Sequence, residues 1–205
     1  MREIKNQDEY LTIKDFRREK LLVKGSKFIA TAIPISSEKE AKLSLEKIKK
    51  EFHDATHNPY AYIIAEGGIQ KFSDDREPSG TAGKKIFFAI ESRNLKDILV
   101  VVTRYFGGVK LGTGGLSKAY YESALKTLKD CNFIIKEQRA GLHILFPRER
   151  YDQVQKVLNR EKVKVMKLAF GDRVRMEIDF SQAIYSRLME KLKSSTRGEI
   201  EFEKT

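Results

Sequence analysis

A chain of 205 residues is long enough for one large domain or two small ones, each able to bury a core of its own. Apolar residues make up 40% of it and charged residues 34%, and no apolar run approaches the roughly 20 residues that span a bilayer, so a membrane protein is not expected. The net charge of +11 favours polyanionic partners, because clustered cations release counterions from phosphate backbones.

The cysteine content and the amino terminus narrow the class of protein further. Cys131 is the only cysteine, which excludes an intramolecular disulfide and a zinc cluster of cysteines. The first ten residues lack the apolar core of a signal peptide, so we expect a cytoplasmic protein. The excess of positive charge is shared by residues 1–132 and residues 133–205, a balance that also occurs on ordinary solvated surfaces.

The first predicted elements are a hairpin and a helix. Residues 12–23 and 27–35 have strand character and are joined by 24–26, which contains a glycine. A helix is predicted from Ser37, because Ser37 and Glu40 form a capping box. Four apolar residues at helical spacing predict the buried face of this helix, and they are Ala41, Leu45, Ile48 and Phe52.

Two histidines follow this helix. His53 and His57 have the spacing of two metal ligands only if the helix continues through them, and the sequence offers no third ligand. We therefore expect no metal, and we interpret residues 54–58 as the end of the helix. A strand pair with a glycine turn is predicted next, over 60–66 and 69–72.

A turn-forming stretch then carries several carboxylates, and we call it the acidic loop. Its composition holds these side chains on a loop before a short helix predicted over 82–94. The candidate residues of the acidic loop are Asp74, Asp75, Glu77, Gly80 and Thr81. Two interpretations are open: the carboxylates hold a magnesium ion, or they pair with Arg104 and cap backbone donors of their own turn.

A second candidate segment begins in the apolar strand predicted over 97–106, which is expected to be buried on both sides. A glycine-rich turn leads from this strand to a helix predicted to begin near Leu116, and free N–H groups at a helix start attract anions. The candidate anion-binding or nucleic-acid-binding residues are Arg104, Gly107, Gly108, Lys110, Gly112, Thr113, Gly114 and Gly115. The spacing matches neither a P-loop nor a dinucleotide fingerprint. The alternative is that these glycines only permit a tight turn and close packing.

The pattern restarts after residue 132. Strands are predicted over 135–146, 163–170, 174–180 and 198–203, with helices over 148–160 and 182–194. This βαββαβ order is that of a ferredoxin-like domain. Together with the mixed first part, where helices are expected on one face of a sheet, it predicts an α+β protein of two domains, 1–132 and 133–205.

Four segments are similar to the YigZ/IMPACT family. They are KGSKFIA at 24–30, DATHNPYAY at 54–62, SDDREPSGTAGK at 73–84 and VVTRYFGGVKLGTGGLSKAY at 101–120. Lys85 and Pro59 depart from the residues common in that family. The resemblance favours His57 over His53 as a further candidate site residue.

The same resemblance carries expectations about fold and partners. It implies an amino-terminal α/β sandwich like the second domain of a ribosomal small-subunit protein, a fold shared with the GHMP kinases. It also implies a carboxy-terminal domain similar to the last domain of elongation factor G. In eukaryotic IMPACT relatives the shared domain is linked to restraint of a translation-control kinase that responds to starvation.

Three classes of function therefore compete. We expect a non-enzymatic binding protein that acts on RNA, the ribosome or the translation apparatus, without a cofactor, a metal or catalytic residues. The first alternative is an enzyme that binds phosphate or a nucleotide through the acidic loop and the glycine turn. The second is a protein-docking module with Tyr105, Phe106 and Tyr121 as anchors, although we expect Phe106 in the core.

Overall fold

In the computed structural model, which describes residues 9–204, contacts between residues divide the chain into two units. Among the described residues, the first unit is Tyr10–Lys136 and the second covers Glu9 and 137–204. That the protein works as two domains with the limits 1–132 and 133–205 stays a prediction. Among the described helices, none combines the length and the apolar character needed to cross a membrane.

The first unit is built around a sheet of five strands. Its elements follow one another as β1 (Glu9–Ile13), β2 (Arg17–Val23), β3 (Ser26–Pro34), α1 (Glu38–Glu51), β4 (Tyr60–Ile63), β5 (Gln70–Ser73), α2 (Gly83–Glu91), β6 (Ile98–Tyr105), α3 (Gly112–Lys129) and β7 (Phe133–Glu137). The five-stranded sheet has the order β2-β3-β6-β4-β5 and every neighbouring pair is antiparallel, while β1 pairs with β7.

Strand β6 lies at the centre of this sheet and is buried on both faces, as predicted. Val100 and Val102 pack on one side, in a core shared with α2 and α3. Leu99 and Val101 pack on the other side, in a core shared with α1. The expectation that the helices lie on one face is therefore wrong, because an apolar strand without polar alternation must be covered from both sides.

Helix α1 confirms its predicted start and its predicted apolar stripe. The Glu40 N–H donates to Ser37 Oγ at 3.2 Å, and the Glu40 carboxylate accepts from the Ser36 N–H at 2.7 Å. Ala41 and Ile48 are buried against the sheet. Because α1 ends at Glu51, the two histidines that follow do not share a helix face.

The second unit has the predicted ferredoxin-like order. Its elements are β8 (Arg139–Pro147), α4 (Tyr151–Arg160), β9 (Lys164–Phe170), β10 (Arg173–Ser181), α5 (Tyr185–Ser195) and β11 (Glu201–Lys204). They form an antiparallel sheet in the order β11-β8-β10-β9. The side of β10 that carries Val174, Met176 and Ile178 is buried against α4 and α5.

Two predicted strands are each split in the structure. The segment 135–146 was expected as one strand, but β7 ends at Glu137 and β8 begins at Arg139. The segment 12–23 contains the end of β1 and all of β2, separated by residues 14–16. Both predictions joined strands that pair with different partners, and apolar periodicity alone does not show such a change of partner.

Candidate functional site

The acidic loop is held by its own hydrogen bonds, and Asp74 makes three of them. Asp74 Oδ2 accepts from the Gly80 N–H at 2.8 Å. Asp74 Oδ1 accepts from the N–H groups of Ala82 and Gly83, at 3.0 and 2.8 Å. Since these last two donors open α2, Asp74 caps that helix and places a negative charge at the positive end of its dipole.

Asp75 connects the acidic loop to the segment that follows α1. Its Oδ2 accepts from the Asn58 N–H at 2.7 Å, and Lys49 Nζ lies 3.6 Å from its Oδ1. The Asp75 carbonyl lies 2.9 Å from Nδ1 of His57. A carbonyl can only accept, so Nδ1 carries the proton, and Nε2 of the neutral imidazole is left with a free lone pair.

Glu77 is the centre of a buried polar cluster. Its Oε1 accepts from Arg104 Nη1 at 2.6 Å and from the Tyr120 hydroxyl at 2.7 Å, and His57 Nε2 lies 4.0 Å away. Burial, reinforced by the hydrogen bond to Glu77, raises the pKa of Tyr120 far above its usual value, so the phenol stays protonated. The negative charge of Glu77 is thus balanced by the Arg104 cation, and the Tyr120 hydroxyl adds a neutral hydrogen bond.

Arg104 is buried, with only 6% of its surface exposed, although it was predicted as a surface contact for nucleic acid. Its guanidinium lies 5.6 Å from the ring centres of Phe28 and Phe106. Its Nε has no hydrogen-bond partner anywhere in residues 9–204. Arg104 therefore forms part of a buried ion pair and still keeps one unused donor.

The glycine turn covers residues 106–111 and packs against the β2–β3 hairpin. A Cβ on Gly107 would lie 1.9 Å from the carbonyl carbon of Gly25, so glycine is required there. Gly108 has φ +86°, a left-handed conformation that also favours glycine. Phe106 was expected in the core but is 48% exposed, and Val109 is 52% exposed on the same turn.

Helix α3 begins at Gly112, four residues before the predicted start at Leu116. Gly114 and Gly115 are therefore the first turn of the helix and not part of the loop before it. Leu111 precedes the helix, and within the described chain no side chain caps its first N–H groups. The start of α3 offers uncapped donors at the positive end of a helix of 18 residues.

One cavity of about 370 Å3 brings the two candidate segments together. It is lined by Thr56, His57, Glu77, Pro78, Arg104, Phe106, Lys110, Leu111, Gly112, Thr113 and Leu116. Of the predicted anion-binding residues, Arg104, Lys110, Gly112 and Thr113 line it. Of the acidic-loop candidates only Glu77 does so, because the carboxylates of Asp74 and Asp75 accept hydrogen bonds from backbone N–H groups.

The sequence interpretation missed the role of Tyr120. It was not among the predicted site residues, and in the structure it is fully buried on the apolar face of α3. A hydroxyl-bearing side chain within an apolar stripe requires a hydrogen-bond partner in the core. That requirement was the available signal for a buried acceptor such as Glu77.

We expect the free energy of unfolding to fall as the pH rises above about 10, the usual pKa of tyrosine. Burial, followed by hydrogen bonds to carboxylates, raises the pKa values of Tyr10, Tyr62 and Tyr120. Above about pH 10 the unfolded chain loses phenol protons that the folded chain keeps, so unfolding is favoured. Urea unfolding at about pH 8 and pH 10.5 measures the difference, and Tyr120→Phe should make it smaller.

Fold and cavity together define a class: an α+β protein of two units whose first unit carries an acidic loop and a glycine turn around one pocket. The profile of the Impact N-terminal domain matches residues 24–128, about half of the chain. The chain therefore belongs to the IMPACT family.

Two relatives and a solved structure illustrate the similarity over most of the chain. IMPACT family member YvyE of Bacillus subtilis is 36% identical over 169 residues, 82% of this chain and 78% of that protein. An IMPACT family member of Haemophilus influenzae is 29% identical and covers 87% of this chain and 88% of its own. A crystal structure described as that of an hypothetical protein has a TM-score of 0.72 and 25% identity, covering 98% of both chains.

The match to larger relatives is restricted to part of each chain. Human Protein IMPACT is 38% identical over 91 residues, which are 42% of this chain and 28% of the human protein. The chain thus corresponds to less than a third of that relative's length.

Proposed function

We propose that this protein is a non-enzymatic binding protein of the cytoplasm that acts on RNA, the ribosome or another part of the translation apparatus, and so regulates translation. The observation that carries the proposal is the cavity at the start of α3. There, uncapped helix N–H groups, the exposed Lys110 and the unused donor of Arg104 lie in or beside one space. This set of donors fits a phosphate group.

Phe106 adds a surface for a nucleobase. Its ring is half exposed at the cavity and lies over the Arg104 guanidinium. Single-stranded nucleic acids bind where cationic grooves stand beside aromatic rings, since every base can stack. A phosphate at α3 and a base on Phe106 are the contacts we propose for RNA.

The test is fluorescence anisotropy with labelled single-stranded RNA from about 50 to 200 mM salt. The affinity should fall steeply with salt. Lys110→Ala should reduce the slope of log affinity against log salt by about 0.7, the value for one phosphate contact on a single strand. Phe106→Ala should weaken binding by about 1–3 kcal/mol, the effect of one stacked base.

The control for Lys110 is Lys39→Ala, which removes an exposed charge from α1 on the opposite face of the sheet. It should leave both slope and affinity nearly unchanged. An affinity that does not respond to salt, or equal losses in Lys110→Ala and Lys39→Ala, would discard this surface as the RNA site.

A protein-docking role is the second candidate, and the exposure of Phe106 and Val109 on one turn favours it. Exposed apolar side chains grouped at a cavity are typical of docking anchors. Co-purification from lysate with and without ribonuclease separates the two functions. A protein that still co-purifies after ribonuclease treatment, but no longer does so with Val109→Ser, would indicate that this surface binds a protein and not RNA.

A further inference from the structure

The cavity described above contains hydrogen-bond acceptors as well as donors. The lone pair of His57 Nε2 is free in the neutral ring, since the Asp75 carbonyl holds the proton on Nδ1. Glu77 adds a carboxylate to the same wall, and its charge is offset by Arg104. A ligand made only of acceptors would satisfy Lys110 and α3 but would leave His57 without a donor.

One hydrogen-bond donor of Arg104, in the wall of the cavity, has no acceptor in the described chain. Its side chain lines the cavity and is more than nine-tenths buried, and its Nε–H has no acceptor within the described chain. A buried donor without a partner costs about 1–3 kcal/mol. An anionic ligand in the cavity supplies the missing acceptor.

The two kinds of RNA phosphate differ in what they offer such a cavity. A phosphodiester inside a strand has no proton to donate near neutral pH, and its two ester bonds require the strand to leave in two directions. A phosphate monoester has a single ester bond and a second proton with a pKa of about 6. In its monoanionic form, which predominates below about pH 6, it can therefore accept from Lys110 and α3 and donate a P–OH hydrogen bond to His57.

We infer that the cavity takes a phosphate monoester of a nucleotide, with His57 Nε2 accepting from its hydroxyl. This inference rests on the proposed RNA-binding function and deepens it, because it assigns the site to the end of a strand. The volume of the cavity, about 370 Å3, lies in the range of about 300–1,000 Å3 typical of small-ligand sites. A free nucleoside monophosphate presents the same chemistry and is the other source of the ligand.

The experiment compares short RNAs of one sequence that carry a 5′-phosphate, a 3′-phosphate or hydroxyls at both ends, with adenosine monophosphate as a separate ligand. A phosphorylated end should bind at least about tenfold more tightly than the hydroxyl form, a difference of about 1.4 kcal/mol. His57→Asn keeps an N–H for the Asp75 carbonyl but removes the Nε2 acceptor, and it should abolish this preference. The matched control is His53→Asn, on an exposed neighbouring position, which should keep it.

Lys110→Ala is the second variant, for the case that His57→Asn does not fold. Lys110 is exposed, lines the cavity and takes no part in the Glu77 cluster, so the variant should fold normally and bind a phosphorylated end about tenfold more weakly. Equal affinity for phosphorylated and hydroxyl ends overturns the inference and leaves the proposed function in place. Binding of adenosine monophosphate without binding of any RNA overturns the proposed function and keeps the monoester site. Binding of neither overturns both.

Discussion

Arg104→Ala should destabilise the protein by about 3–5 kcal/mol, the cost of leaving one member of a buried ion pair without its partner. Arg104 and Glu77 are both buried, and their closest atoms are 2.6 Å apart. In the variant, Glu77 keeps the Tyr120 hydroxyl but loses Arg104, its cationic partner. Urea unfolding followed by circular dichroism measures the loss.

The control for this prediction is an ion pair in solvent. Arg17 pairs with Glu19 at 2.7 Å, but 45% of the Arg17 side chain is exposed. Arg17→Ala should therefore cost no more than about 1 kcal/mol. If Arg104→Ala proved equally mild, the Glu77 cluster would not stabilise the fold, and ligand binding would remain as the role of Arg104.

This result also decides how binding variants are designed. Replacing Arg104 together with Lys110 would remove a structural ion pair and a surface charge at the same time. A loss of RNA affinity in such a double variant would report unfolding as much as a lost contact. Lys110, Thr113 and Phe106 line the cavity, and none of them takes part in the Glu77 cluster.

The layered fold was predictable where periodicity and capping residues specify it. The stripe and capping box of α1 and the βαββαβ order of the second unit are both present in the structure. The side of the sheet on which α1 lies was missed, even though the unbroken apolar run of β6 requires cover on both faces. Here the sequence contained the signal, and the prediction did not use it.

The site was predictable as two segments but not as a set of contacts. The partner of Arg104 is 27 residues away in the chain and that of Tyr120 is 43 residues away. No local pattern states which carboxylate of the acidic loop turns inward. Glu77 turns inward because the carboxylates of Asp74 and Asp75 already accept hydrogen bonds from backbone N–H groups.

Asp74→Ala should destabilise the protein by about 2–4 kcal/mol, since it removes a helix cap and a charged acceptor of three hydrogen bonds. Ala82 and Gly83 are buried, so their N–H groups cannot turn to water instead. Asp74→Asn keeps the size of the side chain but presents an amide where an acceptor is needed, and it should lose part of the same stability. Urea unfolding measures both variants. As a control, Glu46→Ala, at an exposed position of α1, should stay within about 0.5 kcal/mol of the parent.

The same variants decide between the two interpretations of the acidic loop. If the carboxylates hold the turn, Asp74→Ala lowers stability, and any loss of RNA affinity follows the fraction of unfolded protein. If they form a magnesium site, removing a ligand carboxylate relieves repulsion among Asp74, Asp75 and Glu77, so the metal-free protein becomes more stable. A stabilised Asp74→Ala variant would contradict the capping role, because three N–H groups cannot lose their acceptor without cost. The bonds that Asp74 makes to Gly80, Ala82 and Gly83 favour the first outcome.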